Sequence, residues 1–123
     1  MNMTETANRP THPDLVAALC KPGRAISEGM TPVEAHLIHM AMGISGEAGE
    51  LLDAIKKATI YKKTLDYANV VEELGDLEFY LEGLRSHLGI TRAQTLEANI
   101  DKLQKRYGEK YSDKATIARA DKA

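Results

Sequence analysis

Two long stretches of the sequence carry apolar residues at a helical period, and no other feature limits the possible folds more. Apolar side chains recur in steps of mostly three and four through residues 37–58 and again through residues 70–88. Steps of this size place side chains on one face of an α-helix. A shorter stripe follows in residues 96–107, and no stretch alternates as a half-buried strand does. The pattern therefore predicts an all-α fold, a bundle of about four helices.

Turn and cap residues set the predicted ends of these helices. The sequence predicts three main helices, over residues 32–58, 67–88 and 92–107. Proline is favoured in the first turn of a helix and glycine just after the last, and both occur at these borders. Thr91 and Gln94 have the spacing of a capping box at the start of the third helix. Residues 15–19 are predicted to form one or two further helical turns, and residues 59–66 are predicted to form a loop.

The chain is predicted to form one domain, with an N-terminal arm (residues 1–14), a core (15–112) and a C-terminal tail (113–123). Its 123 residues suit a single domain and are enough to bury a core without a disulfide or a structural metal. Cys20 is the one cysteine, so no disulfide forms within the chain. The cytoplasm is therefore the expected location.

The near balance of charge excludes some classes of function. The chain carries 18 acidic and 16 basic residues, a formal net charge of -2. It lacks the broad excess of lysine and arginine that is typical of a nucleic-acid binder. No apolar run approaches the roughly 18 residues that span a membrane. The sequence thus predicts neither a nucleic-acid partner nor a membrane partner.

Each of the two long helices carries a pair of carboxylates, three residues apart, at the edge of its apolar stripe. The pairs are Glu47 with Glu50 and Glu73 with Asp76. If the helices pack antiparallel, all four carboxylates meet in one cleft, where they cannot all stay ionised without compensation. Oxygen ligands suit Mg²⁺ or Mn²⁺, and Mg²⁺ commonly takes further ligands from substrate phosphates. The pairs therefore predict a metal site for phosphate chemistry; the alternative is two solvated pairs, since exposed acids are the rule on helices.

A third group of polar residues, Asn99, Lys102 and Arg106, shares one side of the third helix. Donors at this spacing can grip phosphates opposite a metal. The alternative is a solvated basic face, since lysine and arginine also favour the C-terminal end of a helix.

Further candidates lie on the first long helix, on the face that carries Glu47. His36 and His39 are predicted to contact a nucleobase, with a bridging or partly buried histidine as the alternative. Glycines at positions 43, 46 and 49 each cost about 1 kcal/mol of helix stability relative to alanine. Either a neighbouring helix or a ligand is expected to approach the backbone there.

Three segments together resemble the MazG-like family of all-α nucleoside triphosphate pyrophosphohydrolases. Residues 46–52 (GEAGELL) match the ExxE element of the family, and residues 72–77 (EELGDL) match its ExxD element. Residues 99–107 (NIDKLQKRY) resemble the NxxKLxxRY segment of small, phage-type members. The resemblance covers about residues 33–112. The chain departs from some members in having Gly46, not a second acid, before Glu47.

The resemblance implies hydrolysis between the α- and β-phosphates of a nucleoside triphosphate, giving a nucleoside monophosphate and pyrophosphate. It implies that Mg²⁺, with Mn²⁺ as a substitute, is bound by the four carboxylates, and that Glu47 or Glu50 orients the attacking water. Asn99, Lys102 and Arg106 are expected to hold phosphates, with Tyr107 packing nearby. Members of this group act on deoxynucleotide pools, so a purine deoxynucleotide such as dGTP is the expected substrate. A homodimer or homotetramer is expected, in the host cytoplasm if the protein comes from a phage.

Two alternatives to this function remain. One keeps the fold and changes the substrate, as in the related phosphoribosyl-ATP pyrophosphohydrolases. The other is a non-catalytic helical dimerisation module, whose acidic face binds a basic surface of a partner.

Overall fold

A computed structural model describes residues 8–108 and 112–118, and these residues form α-helices joined by short turns. The helices are α1 (His12–Leu19), α2 (Gly23–Gly29), α3 (Pro32–Thr59), α4 (Tyr67–Leu88), α5 (Arg92–Tyr107) and α6 (Asp113–Ala118). No strand occurs among the described residues. The all-α prediction is confirmed.

The three main helices begin and end within one residue of the predicted positions. The second of them, α4, begins after Asp66, whose carboxylate accepts a hydrogen bond from the backbone N–H of Asn69 at 3.0 Å. It ends before Gly89, whose left-handed φ of 68° is a conformation that side chains disfavour. The predicted capping box of α5 is present: the Thr91 hydroxyl accepts from the backbone N–H of Gln94 at 3.0 Å, and the Gln94 side chain accepts from that of Thr91 at 2.8 Å.

Helical structure also occurs where the sequence did not predict it. Helix α2 was not predicted; an ion pair between Arg24 and Glu28, at 2.8 Å, joins successive turns of this helix. Helix α1 begins at His12, inside the predicted arm, because the Thr11 hydroxyl caps it by accepting from the backbone N–H of Asp14.

Residues 113–118 of the predicted C-terminal tail are helical. These residues form α6, which packs against α5. The hydroxyls of Tyr107 and Thr116 share a hydrogen bond of 2.7 Å that joins the two helices. Tyr111, near which some order was predicted, and residues 119–123 lie outside the described residues.

The chain divides into two compact units, Met1–Pro32 and Val33–Ala123. The first contains α1 and α2. The second contains α4, α5, α6 and all but the first residue of α3, and it holds every candidate site residue. The single domain predicted from the length stays a prediction.

Helices α3 and α4 pack antiparallel, and small residues let them approach closely. The side chain of Met40 fills the space where a Cβ atom on Gly83 would lie, and the ring of Tyr80 does the same at Gly43. Met40 is 5% exposed, and it is one of only two buried apolar residues among the described ones; the other is Ala54, also on α3. The core of this unit is therefore the narrow seam between α3 and α4.

Large apolar side chains remain exposed on every main helix. Met42 and Leu52 on α3 are 66% and 67% exposed, and the apolar stripe of α5 is about half exposed. A helix with apolar residues on several faces is normally covered on several faces. Within the described part of the chain, no helix is both long and apolar enough to cross a membrane.

Candidate active site

Three carboxylates meet in the seam between α3 and α4. Glu47, Glu73 and Asp76 each offer an oxygen atom, and these atoms lie within 4.8 Å of one another. Glu73 is only 8% exposed and is the one buried charged residue among those described. The structure thus brings Glu47 next to two acids that lie 26 and 29 positions further along the sequence.

The register of the two helices explains this meeting. Tyr80 on α4 contacts Gly43 on α3. Four residues further along α3 is Glu47, and four residues back along α4 is Asp76. In an antiparallel pair these two steps lead to the same level, because each residue adds about 1.5 Å along either helix. Another step of three brings Glu50 to the level of Glu73, so both pairs face each other across the seam.

The pKa of Glu73 lies well above the ordinary value of a glutamate. Proximity to Glu47, with which it can share a proton, burial, and the negative charge of Glu50 together raise the pKa of Glu73 to about 7. Glu47 and Glu73 each also have a buried carboxylate oxygen, Oε2, without a hydrogen-bond partner. A buried polar atom that lacks a partner is costly. A cation bound here would satisfy both oxygens and offset the repulsion.

The donor set of this cluster suits a hard divalent cation. All of its donor atoms are carboxylate oxygens. Mg²⁺ and Mn²⁺ prefer such oxygen ligands, whereas softer metals prefer other ligands. Glu50 differs from the other three: its negative charge helps to raise the pKa of Glu73, but it lies outside the group of three converging oxygens. The residues therefore fit a metal held by three carboxylates with a fourth at the edge.

A group of aromatic side chains lies next to the acids along the seam. The ring of Tyr80 contacts Phe79 edge to face, with the ring centroids 5.1 Å apart and the planes at 88°. The ring of His39 also lies near Tyr80, with the centroids 6.3 Å apart and the planes at 63°. The Tyr80 ring lies about one helical turn along the seam from Glu47 and Asp76.

A cavity of about 630 Å³ lies beside α4 and reaches the seam at His36, Met40 and Gly83. This volume is in the range of small-molecule sites. The lining is formed by His36, Met40, Glu78, Phe79, Glu82, Gly83, Arg85, Ser86 and Arg92. Four of these nine residues are charged, namely Glu78, Glu82, Arg85 and Arg92.

Two groups in the cavity have defined electrostatic roles. Arg85 is 12% exposed in its side chain and pairs with Glu82 at 3.0 Å and Glu78 at 3.6 Å. Hydrogen bonds from Arg85 and then from Ser86 lower the pKa of Glu82 below its ordinary value. His36 stacks on His87, with ring centroids 3.3 Å apart, and its Nε2 atom is buried without a partner. His36 is thus partly buried, as the alternative interpretation expected, and it also lines the cavity.

The residues predicted to grip phosphates all lie on α5, whereas the acids lie on α3 and α4. Asn99 and Lys102 are exposed on α5, and in the described part of the chain no hydrogen bond or ion pair joins either to the acidic cluster. The guanidinium carbon of Arg106 lies 5.9 Å from the ring centroid of Tyr107, whose hydroxyl is engaged by Thr116. The role of these four residues stays a prediction.

A model of the MazG nucleotide pyrophosphohydrolase domain matches residues 36–110 of the chain, well over half of its length. The chain belongs to this family. MazG domains are nucleotide pyrophosphohydrolases, a class of hydrolases, and they typically depend on a divalent metal. The resemblance seen in the three short motifs is therefore confirmed. The comparisons with curated proteins and with solved structures found no match.

The MazG match contains the acidic cluster, the aromatic group, the cavity and all of α5, and it excludes α1 and α2. Several residues that line the cavity, and His87, which stacks on the lining residue His36, were not predicted from the sequence. His87 and Phe79 carry no motif of their own, and Arg85 and Arg92 resemble ordinary surface bases. The antiparallel register would have identified His87, since it lies one turn beyond Gly83 on the same face of α4. No sequence signal indicated the two arginines.

Proposed function

We propose that this MazG domain hydrolyses a nucleoside triphosphate between its α- and β-phosphates, with a divalent cation, to a nucleoside monophosphate and pyrophosphate. One observation carries the proposal: a cluster of carboxylates with partnerless buried oxygens lies in the same seam as a cavity large enough for a nucleoside. The cation would bind the phosphates of the substrate, and the cavity would bind its nucleoside. The two sites together match both ends of one substrate.

Glu47, Glu73 and Asp76 are proposed to hold the metal, with Mg²⁺ as the natural ion and Mn²⁺ as a substitute. Such an ion supplies positive charge that offsets the phosphates and lowers the pKa of an attacking water. The chain contributes three fixed oxygens, two of them on α4, so the position of the metal depends on how closely α3 and α4 pack.

Glu50 is proposed to orient the water and to accept its proton. It is exposed, next to the cluster, and not needed among the three converging oxygens. The oxygen of the water forms a bond to the α-phosphorus, and the bond from that phosphorus to the oxygen bridging to the β-phosphate breaks. Pyrophosphate leaves with that oxygen. Of the two carboxylates predicted for this role, Glu50 is favoured over Glu47 because the buried Oε2 of Glu47 has no water-facing side.

The cavity is proposed to bind a purine base, with guanine as the best fit. Glu78 and Glu82 place two carboxylates at its edge, and a carboxylate can accept hydrogen bonds from the N1–H and the 2-amino group of guanine together. The partnerless Nε2 of His36 offers a further contact. His39 lies next to Tyr80, with the ring centroids 6.3 Å apart. A deoxynucleotide such as dGTP, drawn from the cytoplasmic pool, is the proposed substrate.

A second copy of the chain is proposed to cover the exposed apolar faces, in a homodimer or a homotetramer. Leu96, Ile100 and Leu103 on α5 are each more than 40% exposed, on the helix that also carries Asn99 and Lys102. Packing of this stripe on another copy would bring those donors to the phosphates of a substrate, together with Arg106 and Tyr107. The site would then be complete only in the assembly.

A pyrophosphate assay tests the proposed function. The purified chain, with Mg²⁺ or Mn²⁺, is incubated with the common ribo- and deoxynucleoside triphosphates and with phosphoribosyl-ATP. We expect equal amounts of pyrophosphate and monophosphate, loss of turnover with EDTA, and, in ¹⁸O-labelled water, the label in the monophosphate. Turnover of phosphoribosyl-ATP alone would favour the related enzyme, and no turnover of any substrate would favour a binding module.

Matched variants locate the reaction at the acidic cluster. The double variant Glu50→Gln, Glu73→Gln should remove turnover while circular dichroism shows that its helices are retained. Glu72→Gln is the control, because Glu72 neighbours Glu73 in the sequence but is exposed. Undiminished activity of the double variant would place the metal elsewhere.

A further inference from the structure

The two carboxylates that line the cavity differ in how many hydrogen bonds they already accept. Glu82 is engaged on both oxygens. Its Oε2 atom accepts from Nε and Nη2 of Arg85, at 3.2 and 3.0 Å, and its Oε1 atom accepts from the Ser86 hydroxyl at 3.1 Å. A carboxylate has about four lone-pair sites for such bonds. Glu82 therefore has little capacity left for a ligand.

Glu78 has both of its oxygens available. Among the described residues it takes part in one ion pair, in which its Oε2 atom lies 3.6 Å from Nη2 of Arg85. That distance is longer than an N–H···O hydrogen bond, which is typically about 2.7–3.2 Å. The side chain of Glu78 is also 56% exposed, so a ligand in the cavity can reach it. Glu78 is thus the carboxylate of the cavity that can accept two new hydrogen bonds.

The positive charges of the cavity wall act mainly on Glu82. Its pKa is lowered first by the hydrogen bond from Arg85, then by that from Ser86, and to a smaller extent by the charges of Arg85 and Arg92. The guanidinium of Arg85 is only 12% exposed and lies closer to Glu82 than to Glu78. Glu78 is therefore the less compensated negative charge of the two.

A carboxylate with two available oxygens suits a partner with two adjacent N–H donors. Among the four common bases only guanine presents such a pair on one edge, in N1–H and the 2-amino group. Adenine presents an acceptor, N1, at the same place, which a carboxylate repels. A site that is built to make hydrogen bonds discriminates strongly against an analogue that cannot make them, because its polar groups are then left unpaired.

We propose that Glu78 is the residue that selects guanine, by accepting one hydrogen bond from N1–H and one from the 2-amino group. Glu82 is assigned a different task, the binding of Arg85 within the cavity wall. The inference rests on the proposed function, because it takes from it the placement of the base in the cavity. It assigns the recognition of that base to one of the two acids.

Steady-state kinetics with dGTP, dITP and dATP test the proposal, since dITP keeps N1–H and lacks the 2-amino group. The wild-type chain should have the highest kcat/KM with dGTP, about 10-fold less with dITP, and the lowest with dATP, because a hydrogen bond to a charged group is worth about a factor of 10 or more. Glu78→Gln loses one acceptor and the charge. It should lower the ratio of kcat/KM for dGTP to that for dATP by about 10-fold or more.

Glu82→Gln is the matched comparison, because it removes the same charge from the same cavity. It should lower the ratio much less than Glu78→Gln does. Glu72→Gln, at an exposed position of the same helix, should leave the ratio unchanged. An unchanged ratio in Glu78→Gln, an equal or larger effect of Glu82→Gln, or a wild-type preference for dATP would overturn the inference alone.

Calorimetric binding of dGMP and dAMP in EDTA separates the inference from the proposed function, because it requires neither metal nor turnover. Glu78→Gln should weaken the binding of dGMP by about 10-fold and leave that of dAMP unchanged. Equal binding of dGMP by the variant and the wild type would overturn the inference. Absence of turnover with every nucleotide, together with binding of dGMP that depends on Glu78, would overturn the proposed function and support the assignment of Glu78 to guanine.

Discussion

His36 on α3 and His87 on α4 stack face to face, with ring centroids 3.3 Å apart and planes at 23°. This contact closes the end of the α3–α4 seam that is remote from the acidic cluster, and His36 forms part of the adjoining cavity. The His87 ring also contacts its own helix, through Nδ1 and the carbonyl oxygen of Gly83 at 3.2 Å. The stack therefore contributes both to the packing of α3 on α4 and to the shape of the cavity.

Replacement of His87 should affect both properties. We expect His87→Ala to lower the free energy of unfolding by about 0.5–1.5 kcal/mol, since a stacked aromatic pair contributes about that much. KM should rise, because His36 loses its support, while kcat stays near its original value, because the acids are untouched. Urea unfolding and steady-state kinetics measure the two effects. His12→Ala, in the other unit of the chain, is the control, and a fall in kcat alone would contradict the expectation.

The glycines of α3 should respond differently to alanine. At Gly43 a Cβ atom would collide with the Tyr80 ring, whereas at Gly46 no atom lies within 4 Å of it. Overpacking costs about 1–3 kcal/mol and alanine gains up to about 1 kcal/mol of helix propensity. Gly43→Ala should therefore destabilise the chain by up to about 2 kcal/mol, and Gly46→Ala should stabilise it by up to about 1 kcal/mol.

Thermal or urea unfolding of the two variants provides the measurement. Equal effects at the two positions would show that the Gly43–Tyr80 contact does not limit how closely the helices pack. If Gly46→Ala is more stable but less active, a ligand approaches the backbone beside Glu47. That result would decide between the two reasons for these glycines that the sequence left open.

The main helices and the meeting of the acids could be predicted because both follow from local periodicity. An apolar stripe fixes which face of α3 meets α4, and carboxylates at the edge of each stripe then have one place to converge. Caps that depend on two nearby residues, such as Thr91 with Gln94, were predictable for the same reason.

The rest depended on information that periodicity does not carry. Helix α2 has no regular apolar stripe, and α6 is held by the contact between Tyr107 and Thr116, which no local pattern specifies. The cavity depends on the register of α3 against α4 and on Arg92, which belongs to a third helix. The raised pKa of Glu73 needs three acids from two helices, so it too follows from tertiary structure.

The stability of the metal-free chain should fall as the pH rises towards neutrality. Glu73 has a pKa of about 7 in the folded chain and an ordinary value of 4.5. Between these values the folded chain keeps a proton that the unfolded chain has released. The stabilising contribution of the proton is complete below pH 4.5 and is lost as the pH rises through about 7.

This dependence is measured by unfolding in EDTA at several pH values between 5 and 8.5. Other groups titrate in the same range, so the informative quantity is the difference between the wild type and Glu73→Gln, whose amide cannot ionise. That difference should move in favour of the glutamine variant as the pH rises. Parallel curves for the two proteins would show that Glu73 is not the group responsible.

Binding of Mg²⁺ should release the same proton, because a carboxylate must be ionised to hold a metal. At pH 6 the calorimetric heat of Mg²⁺ binding should depend on the ionisation enthalpy of the buffer, and at pH 8.5 this dependence should nearly vanish. Mg²⁺ at 100 times its dissociation constant should also stabilise the chain by about 2.7 kcal/mol, and EDTA should reverse this. Glu72→Gln should behave as the wild type, and Glu73→Gln should bind Mg²⁺ much more weakly and without proton release. Equal proton release at the two pH values would assign the displaced proton to a different group.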